Sequence, residues 1–158
     1  MKMKTLFVMM FCTFTAGTAM AQSLKKWNWG TYKMAFQAPS DFSVDKNNAQ
    51  IFDAGNGKLH LTIYPEKGEK FTQASMKGLL KEWAQSNKLK WGGKVSTMED
   101  LNGYWGVYVD GTSPEGLPTS VLMLVDPDFP EISFYVWLQY QDGELDTAVE
   151  ILKSFIPS

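Results

Sequence analysis

Two Asn-Gly pairs constrain this chain more than any other feature. Asn56-Gly57 stands between "AQIFDA" and "KLHLTIYP", and Asn102-Gly103 between "KVSTMEDL" and "YWGVYVDG". Both residue types tolerate positive φ, so each pair predicts a tight hairpin turn, and hairpins join antiparallel strands. After the first turn Leu59, Leu61 and Ile63 alternate with His60, Thr62 and Tyr64. That is the two-residue period of a strand with one buried face.

Other segments read the same way. "TYKMAFQ" places Tyr32, Met34 and Phe36 on one face. "APSDF" interrupts it, because proline lacks a donor and fixes φ. "FSV" then resumes an extended segment. "TSVLMLVDP" is apolar on both faces, which suits a central strand covered from both sides. "EISFYVWLQY" sets Ile132, Phe134, Val136 and Leu138 on one face and Tyr135 and Trp137 on the other.

The period changes twice. In "FTQASMKGLLKEWAQSNKLK", Met76, Leu79, Leu80 and Trp83 form one stripe of a helix. Gly78 weakens that helix by about 1 kcal/mol relative to alanine and would permit close packing. In the closing "DGELDTAVEILKSFIPS", Leu145, Ala148, Val149, Leu152 and Phe155 make the apolar face. Acids at its start and Lys153 at its end suit the helix dipole, and Pro157 stops it. The order is about three strands, a helix, about four strands, a helix. Sheet faces apolar on both sides need two covers. The expected fold is α+β: a single antiparallel sheet of about six to seven strands with helices on both faces, an α/β/α sandwich.

The first residues, "MKMKTLFVMMFCTFTAGTAMAQ", predict a secretion signal over 1–21. Lys2 and Lys4 give a positive start, and Leu6 to Phe14 an apolar run well short of the ~20 residues of a membrane span. Ala19-Met20-Ala21 is a small-x-small cleavage pattern. Residues 22–158 are then one domain, periplasmic or secreted, with no transmembrane segment after cleavage. The one cysteine, Cys12, leaves with the signal, so the mature domain has no disulfide and folds on burial alone.

The chain has no arginine, the usual bidentate reader of phosphate and guanine. With an acidic balance, this argues against nucleic acid as a partner. Charge is also segregated: twelve lysines against six acids in 22–94, one lysine against eleven acids in 95–158. The halves either compensate each other in the fold or present an acidic face to a cationic partner or ion.

Chemistry is sparse. His60 is the single histidine, with no G-x-S-x-G elbow to make it a base; it reads as a sheet-face residue half covered by a helix. Zinc-type sites need clustered histidine and cysteine, so no metal or cofactor is expected. Asp126, Asp128 and Glu131 fall among Pro127 and Pro130 and read as an acidic turn. "GNGK" lacks the spacing of a phosphate loop. No catalytic residue is assigned. Tryptophan is the abundant functional type: Trp83, Trp105 and Trp137 fit the core, whereas Trp27, Trp29 and Trp91 are candidates for ligand or partner contact. In an extended "WNWG", Trp27 and Trp29 share one face, where they either await a ligand or cover the sheet's edge.

"YKMAFQAPSDFSV" and "AVEILKSFIP", with "VDP" after an apolar strand and "FYVWLQY", resemble the PsbP-like superfamily. It includes the photosystem II extrinsic protein PsbP, the Ran-binding Mog protein and many bacterial proteins, some of them secreted. The resemblance covers most of 31–157. It implies a PsbP-like α/β fold and a role as an accessory subunit, assembly factor or partner-binding protein, and it transfers no functional residue. PsbP's partner is absent outside photosynthesis, and the Mog protein's is intracellular, whereas this chain is expected to be exported. The expected function is therefore a non-enzymatic binding or accessory protein of the cell envelope, with a protein or envelope component as partner. A small-ligand or glycan-binding module using exposed tryptophans is the alternative, and a hydrolase with carboxylate chemistry the third.

Overall fold

The computed structural model describes residues 23–158. The expected signal over 1–21, with Cys12, lies outside the described residues. No helix among them is long and apolar enough to cross a membrane.

The strands are β1 (Leu24–Trp29), β2 (Met34–Pro39), β3 (Ser43–Asn47), β4 (Phe52–Gly55), β5 (Leu59–Lys67), β6 (Lys90–Trp91), β7 (Ser96–Leu101), β8 (Tyr104–Thr112), β9 (Pro118–Val125), β10 (Ile132–Tyr140) and β11 (Ile156–Pro157). Helix α1 (Gln73–Ser86) follows β5, and α2 (Leu145–Lys153) follows β10. The expected α+β class holds, but the single sheet of six to seven strands is instead two sheets. Eight strands form the larger one, in the order β3-β4-β5-β10-β9-β8, with β6 and β7 both on the outer edge of β8. Every neighbour in it is antiparallel.

The remaining three strands form a separate sheet, β1-β2-β11. The reason is where the hydrogen bonds of β2 go. One edge pairs with β1 throughout; the other accepts only Ile156 and Pro157. Pro157 therefore ends a two-residue strand rather than merely stopping a helix. Ser154, just past α2, fastens the same region, its hydroxyl accepting the Gln37 backbone N–H at 2.8 Å.

The alternation of β9 and β10 divides the core. Leu122, Leu124, Phe134, Val136 and Leu138 face the small sheet and α2, meeting Trp29, Met34, Phe36, Ile151 and Phe155. Val121, Met123, Val125 and Tyr135 face α1, meeting Met76, Leu80 and Ala84. One helix thus covers each face, as expected, with the small sheet sharing the α2 side. β9 is buried along nearly its whole length, as its two apolar faces require. Thr72 caps α1 in a reciprocal pair with Ser75, satisfying donors the first turn leaves free. Gly78 does not serve close packing: beyond its own helical turn, a Cβ there would meet no atom of the described residues within 4 Å.

The two Asn-Gly turns are built differently. Asn102 and Gly103 both take positive φ, 56° and 105°. At the first turn only Gly57 does, at 88°. Asn56 instead uses its side chain, whose Oδ1 accepts the backbone N–H groups of Lys58 and Leu59 at 2.9 Å each.

Candidate functional site

The three tryptophans singled out in the sequence do not form one surface. Trp29 is completely buried. Its ring meets Tyr32 edge-on at 4.7 Å and lies 5.9 Å from Phe52 and 6.2 Å from Phe134. Its indole N–H has no hydrogen-bond partner among the described residues. Trp29 is thus a core residue with no surface to offer. Trp27 does share its face, but nearer the start of β1 it is only half-buried. Its Nε1 donates to the Ala38 carbonyl at 3.2 Å, and the Lys25 ammonium sits 4.3 Å from the ring centroid. Trp91 is also half-buried, on the opposite, α1 side of the large sheet.

That α1 side carries an aromatic cluster that includes Trp83 and Trp137, two of the tryptophans expected in the core. Trp83 of α1 stacks on Tyr135 and lies edge-on to Trp137, with Tyr64 beside it. The Trp137 indole donates to Gln139 Oε1 at 2.7 Å. Register explains the gathering: Tyr64 pairs with Tyr135 and Thr62 with Trp137, and cross-strand partners point to the same face.

One step further along this face, beyond α1, the side chains become polar. His60 is opposite Gln139 on β10 and opposite Gly55 on β4. Gly55 carries no side chain, so His60 finds its partner diagonally. Its Nε2 lies 2.5 Å from Asp53 Oδ1. Thr62, directly opposite Asp53, donates its hydroxyl to the same oxygen at 2.9 Å. The His60 side chain is 53% exposed and that of Asp53 15%. Among the described residues no helix half-covers His60, because α1 lies over β8 and β9.

Asp45 completes the group from a third strand. The β3–β4 register passes from Val44–Ala54 to Lys46–Asp53, leaving Asp45 as the extra residue of a bulge. Ligand atoms of Asp45, Asp53 and His60 all lie within 4.8 Å of one another. Asp45 and His60 also line a solvent-open cleft of about 540 Å³ with Asp41, Asn56 and Gln141. The signal that finds this group is the register of three strands, not any spacing in the sequence. Among the described residues, no lysine lies within 4.0 Å of a carboxylate, so the segregated charges do not compensate through direct pairs.

A second, smaller cavity of about 210 Å³ opens on the other side of the large sheet. Tyr32, Tyr104, Phe129 and Phe134 wall it, with Lys33 and Asp126 at its polar positions. Phe129 is 61% exposed. Burial, and then the Asp126 carboxylate, push the Tyr104 phenol well above its ordinary range, so it stands here as a neutral hydroxyl.

No family model and no curated protein matches the chain. Its structure is similar to the solution structure of cyanobacterial PsbP from Synechocystis sp. PCC 6803. The TM-score is 0.55 at 10% identity, covering 89% of this chain and 96% of that one. It is similar as well to a crystal structure from Bacteroides thetaiotaomicron VPI-5482, with a TM-score of 0.55 at 14% identity over 88% of this chain. The match covers 49% of that longer chain, so the present one spans about half its length. The fold is PsbP-like, as the sequence resemblance implied.

Proposed function

We propose that this PsbP-like domain is an exported, non-enzymatic binding or accessory module of the cell envelope, with a protein or envelope component as its partner. The observation that carries the reading is the likeness to cyanobacterial PsbP over almost the whole of both chains. The surface is consistent with it. Trp27 and Trp91 keep part of each ring in solvent, in the style of partner anchors. Unpaired surface charge steers encounter with a partner of opposite sign.

Cross-linking of the full chain in its native host, followed by isolation of the envelope fraction, tests this. The expected result is one partner in stoichiometric amount, with less recovered at high salt and from Trp27→Ala or Trp91→Ala. A chain retained in the cytoplasm, or found in the envelope without a stoichiometric partner, would overturn it.

The aromatic cavity favours small-ligand binding as a second reading. Trp29 touches Tyr32 and Phe134, two of its walls, so indole emission should report occupancy. Titration with cell-wall glycan fragments should then give a saturable change that Trp29→Phe removes. Emission unchanged across the series would end this reading.

A further inference from the structure

We infer that Asp45, Asp53 and His60 form a binding site for a single divalent cation of the zinc class. The site stands apart from the accessory reading, since a chain with no partner could still fill it. Its basis is the convergence of one imidazole and two carboxylates from three adjacent strands, with all ligand atoms within 4.8 Å of one another. Cysteine is absent from the described residues, but two aspartates supply what a lone histidine lacks.

Three protein ligands with the remaining position open to water is the pattern of a tetrahedral site that is not closed. The exposed His60 ring and the cleft it shares with Asp45 leave that position to solvent. Metal–ligand bonds of about 2.0–2.2 Å place tetrahedral ligand atoms roughly 3.4 Å apart. The His60–Asp53 contact of 2.5 Å must therefore open by about an ångström. Asp45 must close in. Both moves fall to exposed side chains, His60 and Asp45, while Asp53 is held by the Thr62 hydroxyl. Such an outer partner orients a ligating carboxylate. On binding, the cation takes the Nε2 lone pair, and the neutral ring carries its one proton on Nδ1, facing away from the ion.

Charge and ligand type select the ion. No lysine stands within 4.0 Å of Asp53 among the described residues, and the carboxylate is mostly buried. A cation supplies the charge it lacks. Imidazole suits zinc, copper and nickel, whereas calcium takes six to eight oxygens and gains little from a nitrogen ligand.

His60 is the only histidine in the chain, so its ring protons are a single-residue probe. The untagged chain is titrated with zinc chloride and followed by proton NMR. The His60 ring signals are expected to shift and saturate at one equivalent, below about 100 µM free zinc. Magnesium or calcium at the same concentration should leave them in place. Asp45→Asn, on an exposed edge strand where folding is not at stake, should weaken zinc binding by about tenfold or more. The parent is expected to gain melting temperature with zinc, and His60→Ala should abolish that rise. Unmoved ring signals would overturn the site, and so would zinc affinity unchanged by Asp45→Asn and His60→Ala.

Discussion

The indole of Trp83 lies flat on the ring of Tyr135, with centroids 4.7 Å apart and planes 2° from parallel. One ring belongs to α1 and the other to β10. Tyr64 and Trp137 close on the same indole at 5.7 and 5.9 Å. Met76, Leu80 and Ala84 fix the helix over β8 and β9, and Trp83 extends its hold across the sheet to β10 and β5. Trp83 thus covers the aromatic part of this face, and the His60–Gln139 pair that follows on β5 and β10 lies beyond it.

Trp83→Ala should cost about 2–3 kcal/mol, below the range for a fully buried tryptophan because the ring is half-exposed. Trp83→Phe keeps a stacked ring and should cost less. Urea midpoints for the two variants check the order. Equal stabilities for the parent and Trp83→Ala would mean that the stack contributes nothing to seating α1.

The same contact makes stability fall at alkaline pH. Burial first, and then the Glu66 and Glu82 carboxylates, push the Tyr135 phenol up to about 12. An unfolded tyrosine titrates near 10. Between these values the unfolded chain has released a proton that the folded chain keeps. The contribution is full below about pH 10 and is lost as pH rises through about 12. Tyr104, raised by burial and Asp126, adds to the trend. Denaturant melts at pH values below and above 10 should show the decline, and Tyr135→Phe should make it shallower.

Much of the fold is legible in the sequence, wherever local period decides. The faces of β10, the double-sided burial of β9, the α1 stripe and the Asn102-Gly103 turn all follow from neighbours within a few residues. The small sheet does not. It depends on Ile156 and Pro157 reaching Ala35 and Met34 across most of the chain, and two residues carry no period. The Asp45–Asp53–His60 group is hidden for a related reason. Asp45 is placed by a bulge and His60 meets Asp53 on a diagonal, and neither is written in residue spacing. Trp27 and Trp29 show both sides of this: alternation gives their shared face, and only packing tells which one is sealed.

That distinction has a measurable form. Trp29→Ala should cost about 3–5 kcal/mol, the range for a buried aromatic. Trp29→Phe should cost less, partly because an indole N–H with no partner among the described residues leaves with the ring. Trp27→Ala should cost about 1 kcal/mol, as expected near the surface. Chemical denaturation ranks the three. A Trp29→Ala variant as stable as Trp27→Ala would contradict the burial of Trp29.

Gly78→Ala should stabilise the protein by about 0.5–1 kcal/mol. The residue is exposed in the interior of α1, and beyond its own helical turn a Cβ there meets no atom of the described residues within 4 Å. The gain is the backbone entropy that glycine loses on becoming helical. An upward shift of the urea midpoint is the readout. A loss of stability would mean that the helix face at Gly78 is occupied by something in solution.

Asn102 has a second task besides its turn. At φ 56° it occupies the left-handed region, which costs most residues about 1–2 kcal/mol and favours glycine or asparagine. Its Nδ2 also donates to the Lys153 carbonyl at 3.1 Å and the Phe155 carbonyl at 2.9 Å. These bonds satisfy acceptors at and just beyond the end of α2, and they tie the β7–β8 hairpin to the chain that continues into β11. Turn geometry alone would be served by glycine, so the choice of asparagine is explained by the carbonyls. Asn102→Gly should lose the hydrogen bonds but keep an unstrained turn, at about 1–2 kcal/mol. Asn102→Ala adds left-handed strain and should cost about 2–3 kcal/mol. Asn102→Asp has no donor and sets a negative charge against the negative end of the helix dipole, so it should fall below Asn102→Gly and gain stability relative to it as salt is added. Urea melts at two salt concentrations read the whole series. If Asn102→Gly matches the parent, the two carbonyls are satisfied by water and the tie between hairpin and helix carries no energy.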